Sequence, residues 1–279
     1  TKTDAPTEPD SPKEKGPSRN FIQQIIDADL ALVTSIDLDH QDWLGDNKEQ
    51  IGKEKAGIFR KNKYCVINDP DVPASVEVYA IQCGCVRYRT GREFGFSETM
   101  TQWNWYGPDR QRSDKRINKT ALPRPALTGQ HQLQNACGVL MAVQALNEVL
   151  PVSQQAIREG LINVNLAGRF EVRLSEVTSD ITTIMDVAHN PAAAQLLVTT
   201  LRDYIKANSC GGQLRCLFSI MADKDMVGVL TPMMRLCQHW NIAPLAHSRS
   251  AEVARIRNEI NKLNPENCVV QHDSVTQAY

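Results

Sequence analysis

TTIMDVAHNPAAAQLLVTTLRDYIKANSCGGQLRCLFSI (residues 182–220) decides the fold class. An apolar run typical of a strand, residues 182–187, precedes a helical pattern at 191–207 and a second strand-like run at 214–220. The alternation continues with helix 226–238, strand 242–246, helix 250–262 and strand 268–270. Strands that alternate with helices indicate a parallel sheet covered by helices, so the chain is predicted to have an α/β fold.

The rest of the chain is less regular. Its pattern predicts strand 28–36, a helix from an Asp46/Glu49 capping box to about Phe59, strand 64–68, helix 73–84, strand 85–90, helix 131–149 and helix 152–164. Mixed aromatic and polar residues at 91–128 favour short antiparallel strands. LAGRFEVR (166–173) is typical of a hinge, and the proline-rich residues 1–20 predict a disordered tail.

The composition excludes several classes of function. A net charge of -1 gives no electrostatic reason to bind nucleic acid or an acidic membrane. No apolar run approaches the roughly 20 residues of a membrane-spanning helix. The eight cysteines are scattered, mostly in apolar runs and without a CxxC pair. That usage favours free thiols in a reducing cytoplasm over disulfides or a zinc site.

The stretch SIDLDHQDWLG (35–45) places four polar side chains directly after a predicted strand: Asp37, Asp39, His40 and Asp42. Ligands of open α/β sheets bind at the carboxyl ends of strands, and carboxylates with imidazole suit a divalent metal. A polar loop whose aspartates cap a helix is the alternative.

The stretch IGKEKAGIF (51–59) puts Lys55 on a helix face with two apolar residues, because Ile51, Lys55 and Ile58 are spaced i, i+4, i+7. A buried lysine has a lowered pKa or a nearby anion. A neutral amine can also add carbon dioxide to give an anionic carbamate, which would suit a metal site. A lysine that extends its ammonium group to the surface is the alternative.

The stretch TTIMDVAHNP (182–191) ends a strand at Asp186, and Asn190 with Pro191 can begin the next helix. Asp186 and His189 would then lie in the crevice where a nucleotide binds, although a simple capped helix explains the same letters.

Arg169 in the hinge can contact a phosphate, and Asn135 in GQHQLQNA (129–136) can present its amide to a base. A surface arginine and plain helix capping are the alternatives.

Six stretches in this order resemble the bacterial bifunctional folylpolyglutamate synthase/dihydrofolate synthase family of the Mur ligase superfamily: VTSIDLDHQDWLG, IGKEKAGIF, HQLQNA, AGRFE, DVAHNP and ADKD. The resemblance runs from about Ile25 to Tyr279. It implies an incomplete Mur-ligase-type central ATPase domain at 25–168, which follows a non-family tail at 1–24. A smaller Rossmann-like domain, the glutamate ligase domain, would occupy 169–279 without its last elements.

The resemblance also implies an activity. ATP would phosphorylate the carboxylate of dihydropteroate or a folate, and the amine of L-glutamate would attack the acyl phosphate, with Mg²⁺ stabilising the transferring group. His40 resembles a magnesium ligand and Lys55 the lysine that is carbamylated. Asn135 resembles the adenine contact, Arg169 the phosphate contact and Asp186 the ribose contact. His189 would lie near the phosphates, and the chain would be a cytoplasmic monomer.

The sequence lacks three features of the family pattern that concern catalysis. It contains no G-T-N-G-K-G-S phosphate-binding loop, nor the family's G-G-R-x-D-A-T-N stretch and metal-binding glutamate. We therefore expect an inactive fragment, from truncation, an incomplete gene model or a decayed gene. Two alternatives are a Mur-type peptidoglycan amino-acid ligase and a non-catalytic remnant that acts as a binding protein.

Overall fold

A computed structural model describes residues 27–38, 44–99, 101–109, 115–174 and 181–279. Its helices are α1 (Lys48–Ala56), α2 (Ala74–Cys83), α3 (Gln130–Leu146), α4 (Gln154–Asn163), α5 (Pro191–Ala207), α6 (Met226–Met233), α7 (Val253–Leu263) and α8 (Val275–Ala278). Its strands are β1 (Leu30–Val33), β2 (Tyr64–Ile67), β3 (Val86–Arg89), β4 (Gly95–Glu98), β5 (Gln102–Pro108), β6 (Arg116–Pro123), β7 (Glu171–Leu174), β8 (Thr182–Met185), β9 (Arg215–Phe218), β10 (His239–Ile242) and β11 (Cys268–Gln271).

The N-terminal half contains a parallel sheet of order β1-β2-β3 that is covered on both faces. Side chains alternate across a strand, so β2 sends Cys65 and Ile67 into one cluster, where they pack with residues of α1 and α2. It sends Val66 into the opposite cluster, which α3 fills. Burial on both faces explains why β2 is apolar throughout.

The predicted short strands at 91–128 form an antiparallel sheet of order β4-β5-β6. Trp103 and Trp105 of β5 are fully buried in the same cluster as α3. Both indole N–H groups have acceptors, the carbonyl oxygens of Pro123 at 2.8 Å and Cys137 at 3.2 Å. The second of these bonds ties the antiparallel sheet to α3.

The C-terminal half contains a second parallel sheet, of order β11-β10-β9. Helices α5, α6 and α7 supply apolar side chains to its core around Trp240. Strand β8 differs from the expectation, because in the described residues it pairs antiparallel with β7. The strand that opens the alternating pattern therefore does not continue the parallel sheet.

Several element bounds also differ from those expected. The first helix is capped by Asn47, whose side chain accepts from the N–H of Gln50 at 2.9 Å, so the Asp46/Glu49 capping box was wrong. This helix ends at Ala56, before Ile58. Helix α6 ends at Met233, short of the expected end at 238, and contains Pro232 in its last turn. The strand predicted at 242–246 lies instead at His239–Ile242, ahead of Pro244.

Glu49 caps a different helix from the one expected. Its carboxylate accepts from the N–H groups of Ala74 at 3.0 Å and Ser75 at 2.7 Å, at the start of α2. The cap residue of α2 is Pro73, which has no side chain that can do this. The hydrogen bond from Ser75 is the main reason that the pKa of Glu49 is lowered. A long-range contact thus replaces a local cap.

The predicted tail at 1–24 and the residues Asp39, His40 and Asp42 lie outside the described residues. In the part of the chain that the structure describes, no helix combines the length and apolar character that a membrane crossing requires.

The close approach of α3 to the parallel sheet requires a glycine at position 138. A Cβ on Gly138 would lie 2.5 Å from Cγ of Asn68. We therefore expect Gly138→Ala to lower the free energy of unfolding by about 1–3 kcal/mol, measured by urea unfolding with tryptophan fluorescence. Gly160→Ala is the matched control, because its Cβ meets nothing within 4 Å, and it should stabilise α4 by at most about 1 kcal/mol. Equal effects of the two substitutions would contradict this packing.

Candidate functional site

A buried polar network joins α3 to the carboxyl ends of β2 and β3. Asn68, at 1% exposure, donates from Nδ2 to the carbonyl oxygen of Gln134 at 2.7 Å. Gln134 returns a bond from Nε2 to Oδ1 of Asn68 at 2.8 Å and contacts the hydroxyl of Thr90 at 3.1 Å. This mutual pairing fixes the first turns of α3 at the sheet edge where α/β proteins bind ligands.

The loop after β1 is held at the same edge by a buried carboxylate. Asp69, at 7% exposure, accepts from the N–H of Ile36 at 2.8 Å and from the N–H of Asp71 at 3.0 Å. Both oxygens are thus satisfied by backbone donors, as a buried carboxylate requires. The bond to Ile36 sets where the chain leaves β1, immediately before the predicted metal-binding loop.

The first turn of α3 carries polar side chains that contact one another. Gly129 precedes the helix with φ +117°, a conformation that favours glycine. Nε2 of His131 lies 3.0 Å from Nε2 of Gln132, and Oε1 of Gln132 accepts from Nδ2 of Asn135 at 3.1 Å. Asn135 is half-buried, and its amide is oriented by neighbours rather than by solvent.

The hinge predicted at 166–173 is a tight loop that leads into β7. Gly168 has φ +69°, and Phe170 has φ +45°, a left-handed value that costs free energy in a non-glycine residue. The carboxylate of Glu171 accepts from the N–H of Gly168 at 3.0 Å. This bond is the main reason that the pKa of Glu171 is lowered, and Arg173 adds to the shift. Phe170 is buried, with its ring centroid 5.6 Å from that of Tyr204.

Asp186 joins this hinge to the loop after β8. One carboxylate oxygen accepts from the N–H of Phe170 at 2.8 Å, and the other accepts from the N–H of Ala188 at 2.8 Å. Each carboxylate oxygen has a second lone pair, so the half-buried group keeps capacity for a ligand hydroxyl. Asn190 caps α5 through the N–H of Ala193 at 2.8 Å, with Pro191 at the first helical position, which confirms the predicted helix start.

The N-terminal end of α3 approaches α5. A Cβ on Gly129 would lie 2.8 Å from Nδ1 of His131 and 3.1 Å from the hydroxyl oxygen of Thr200 in α5. Burial lowers the pKa of His131, the negative charge of Asp186 opposes the shift, and the positive charge of Arg169 adds to it. The helix that carries Asn135 therefore begins beside α5, and its His131 is influenced by the charges of Asp186 and Arg169.

Comparisons with known proteins show what this chain is similar to. Residues 168–279 match the family model of the Mur ligase glutamate ligase domain. The dihydrofolate synthase/folylpolyglutamate synthase of Escherichia coli (strain K12) is 34% identical over 255 residues, which cover 91% of this chain and 54% of that protein. The Haemophilus influenzae counterpart is 33% identical over 240 residues, 81% of this chain and 51% of that protein.

Solved structures of dihydrofolate synthase/folylpolyglutamate synthases also match this chain. E. coli FolC in complex with DHPP and ADP matches with a TM-score of 0.74 and 35% identity, over 91% of this chain and 55% of that one. The bifunctional enzyme of Yersinia pestis, complexed with AMPPNP and a Mn ion, matches with a TM-score of 0.73 and 35% identity, over 91% of this chain and 55% of that one.

This chain is homologous to about half the length of the bacterial dihydrofolate synthase/folylpolyglutamate synthases. It spans about half the length of the curated relatives it matches, 54% and 51% in the two cases above. The predicted α/β fold of Mur ligase type is confirmed. The individual site residues stay predictions, and the structure shows where each described one lies.

The family's predicted metal site is described only in part. Lys55 is half-buried and lies on the same face of α1 as the buried Ile51. Ile58, which was expected on that face, lies beyond the end of the helix. His40 falls outside the described residues. Asp37 is exposed and pairs with Lys48 at 3.1 Å. The described residues hold no group of three or more His, Cys, Asp or Glu that could bind a metal. Since a lysine ammonium repels a cation, these residues do not themselves fit a metal ion.

His189 lies in the loop between Asp186 and α5. Its Nδ1–H donates to the carbonyl oxygen of Val187 at 2.9 Å, which orients the ring. It follows Asp186 by three residues, and its position beside a bound nucleotide stays a prediction.

Sequence reasoning missed several residues that build the site, namely Asn68, Asp69, Thr90, His131 and Gln134. The signal for two of them was present, because Asn68 and Asp69 follow an apolar strand directly, as Asp186 does. Their partners are separated by 66 residues for Asn68 and Gln134 and by 33 for Ile36 and Asp69. No local pattern reports contacts at such separations.

Proposed function

We propose that this chain is part of an ATP-dependent carbon–nitrogen ligase that adds L-glutamate to dihydropteroate and to (tetrahydro)folate through an acyl phosphate. The hydrogen bond that joins the hinge to Asp186 is the observation that carries the proposal. Such a junction can bind the base, the ribose and the phosphates of one nucleotide. The relatives support the folate branch over a peptidoglycan ligase.

The proposed roles follow the chemistry of each group. Asp186 accepts hydrogen bonds from ribose hydroxyls with the lone pairs left by Phe170 and Ala188. Arg169, which is exposed at the hinge, presents its guanidinium to phosphate oxygens. Asn135 presents its amide to the base edge, and His189 lies beside the phosphates. The ligase would comprise a partial ATP-binding domain at 25–168 and a glutamate ligase domain at 169–279, as a cytoplasmic monomer that also uses Mg²⁺.

Lys55 is proposed to serve that metal after modification. A neutral amine adds carbon dioxide, forms an N–C bond and releases a proton, which leaves an anionic carbamate with two oxygen donors. Lys55 is half-buried and lies on the same face of α1 as the buried Ile51. Oxygen donors of this kind suit a hard divalent cation.

The carbamate can be detected directly. In ¹³C-labelled bicarbonate, we expect a carbamate carbon signal in the NMR spectrum that Lys55→Arg abolishes. Lys53→Arg is the control, because Lys53 lies on the exposed side of the same helix. A spectrum that Lys55→Arg leaves unchanged would exclude carbamylation at this position.

The ribose role of Asp186 is tested by removing the hydroxyls from the ribose and the carboxylate from residue 186, singly and together. We expect the chain to bind ADP about tenfold or more tightly than 2′,3′-dideoxy-ADP, since a charged hydrogen bond contributes about 1.5–3 kcal/mol. Asp186→Ala should reduce this preference to about twofold, measured by calorimetric titration. Asp203→Ala, an exposed aspartate on α5, should preserve it. A preference that persists in Asp186→Ala would refute the role, because a purely structural effect weakens both ligands equally.

We also predict that the chain by itself does not catalyse the ligation. Phosphate release is measured with ATP, Mg²⁺, dihydropteroate and glutamate, with a full-length relative as positive control. We expect no glutamate-dependent release, because the sequence contains no phosphate-binding loop. Release by the chain would overturn the fragment interpretation and establish the ligase activity at once.

A further inference from the structure

A cavity of about 250 Å³ lies beside β3, at one end of the strand order β1-β2-β3. The charged residues that line it are three arginines and two glutamates: Arg87, Arg89, Arg92, Glu77 and Glu93. Pockets that enclose drug-sized ligands measure roughly 300–1,000 Å³. The volume of this cavity therefore suits a smaller ligand, and its charged lining suits an ion.

Strand β3 brings two of the arginines to one face of the sheet. Side chains alternate along a strand, so Arg87 and Arg89 point to the same side, whereas Tyr88 between them packs into the opposite cluster with α3. Arg92 follows in the next turn, where its N–H donates to the carbonyl oxygen of Arg89 at 3.2 Å. Positions close together in the chain thus supply all three arginines of the cavity.

Positive charge exceeds negative charge in this lining. One oxygen of Glu77, Oε1, contacts Nη1 of Arg89 and lies 3.4 Å from Nη1 of Arg92. Oε2 of Glu93 accepts from the backbone N–H of Arg89 at 2.8 Å. Arg87 is exposed and forms no ion pair with a described residue. Three arginines against two glutamates leave one positive charge, which a bound anion would neutralise.

The guanidinium of Arg89 has one edge that lacks a good acceptor. Nη1 contacts Glu77, but Nη2 lies 3.4 Å from the carbonyl oxygen of Pro70, which is long for a hydrogen bond. Nε is buried and has no acceptor among the described residues. Nε and Nη2 lie on the same side of the planar group, and such a fork matches two oxygens of one carboxylate or phosphate. A buried donor without a partner is unfavourable, so this edge gains most from an anion.

We propose that the cavity beside β3 binds a small oxyanion, either inorganic phosphate or the terminal phosphate group of a larger molecule. Two phosphate oxygens accept from Nε and Nη2 of Arg89, and the charge of Arg87 attracts the same anion. Because Nε is buried, the anion reaches it when the side chain of Arg92, which is 62% exposed, rotates outward. The site lies on the face of the sheet opposite α3, so it is separate from the proposed base contact at Asn135.

The site is tested by adding inorganic phosphate at constant ionic strength while the arginine Nε–H signals are followed by ¹H–¹⁵N NMR. We expect a saturable shift of one signal, which Arg89→Lys removes and thereby assigns to Arg89. Arg87→Gln should weaken phosphate binding about tenfold, the range of one hydrogen bond to a charged group. Arg257→Gln is the matched control, because it removes an exposed arginine from α7, and it should leave the affinity unchanged.

Other results would overturn the anion site. A shift that rises in proportion to phosphate without saturation shows an ionic effect only. Binding that Arg169→Gln abolishes and Arg87→Gln leaves unchanged assigns the phosphate to the proposed nucleotide site instead. Because the probe is phosphate alone, a failure of ADP to bind the chain would refute the nucleotide site without affecting this one.

Methyl phosphate distinguishes the two sources of the anion once saturable binding at Arg89 is established. Affinity similar to that of inorganic phosphate would show that the site admits a terminal phosphate group. Exclusion of methyl phosphate would assign the site to the free ion.

Discussion

The two-way amide pairing of Asn68 with Gln134 fixes the position of α3, and most of the described site depends on that position. Asn68 is buried and Gln134 is half-buried. An unpaired buried amide costs about 1–3 kcal/mol, so a shift of α3 along the sheet would leave Asn68 unsatisfied. Gly138 allows the approach because it has no Cβ in the space that Asn68 fills. The indole of Trp105 adds a hydrogen bond to the carbonyl oxygen of Cys137 in the same helix.

The N-terminal end of α3 approaches α5, and the loop that leads into α5 contacts the hinge. Asp186 stabilises this junction by accepting backbone N–H groups from both segments, Phe170 on one side and Ala188 on the other. Phe170 has a left-handed φ, which the Asp186 bond and burial against Tyr204 offset. A carboxylate that orders the backbone and still has free lone pairs can accept a hydrogen bond from a ligand hydroxyl.

Local patterns predicted most helices, because each carries its own signal. Helix α5 begins and ends where the sequence placed it, since Asn190 and Pro191 mark its start and its apolar spacing marks its face. The errors lie where a distant residue competes with the local pattern. Glu49 caps α2 rather than its own helix, and β8 pairs with β7 rather than with the parallel strands that follow it.

The sequence by itself determined the α/β class and the antiparallel strands at 91–128, because these depend on periodicity and on short ordered stretches. Only the tertiary structure decided that Asn68 pairs with Gln134, that Asp186 joins the hinge to the loop after β8, and that the N-terminal end of α3 approaches Thr200. The direction of a buried amide depends on which partners surround it in space. Partners such as Thr200, Asp186 and Asn68 lie far from α3 along the chain, so no local pattern contains them.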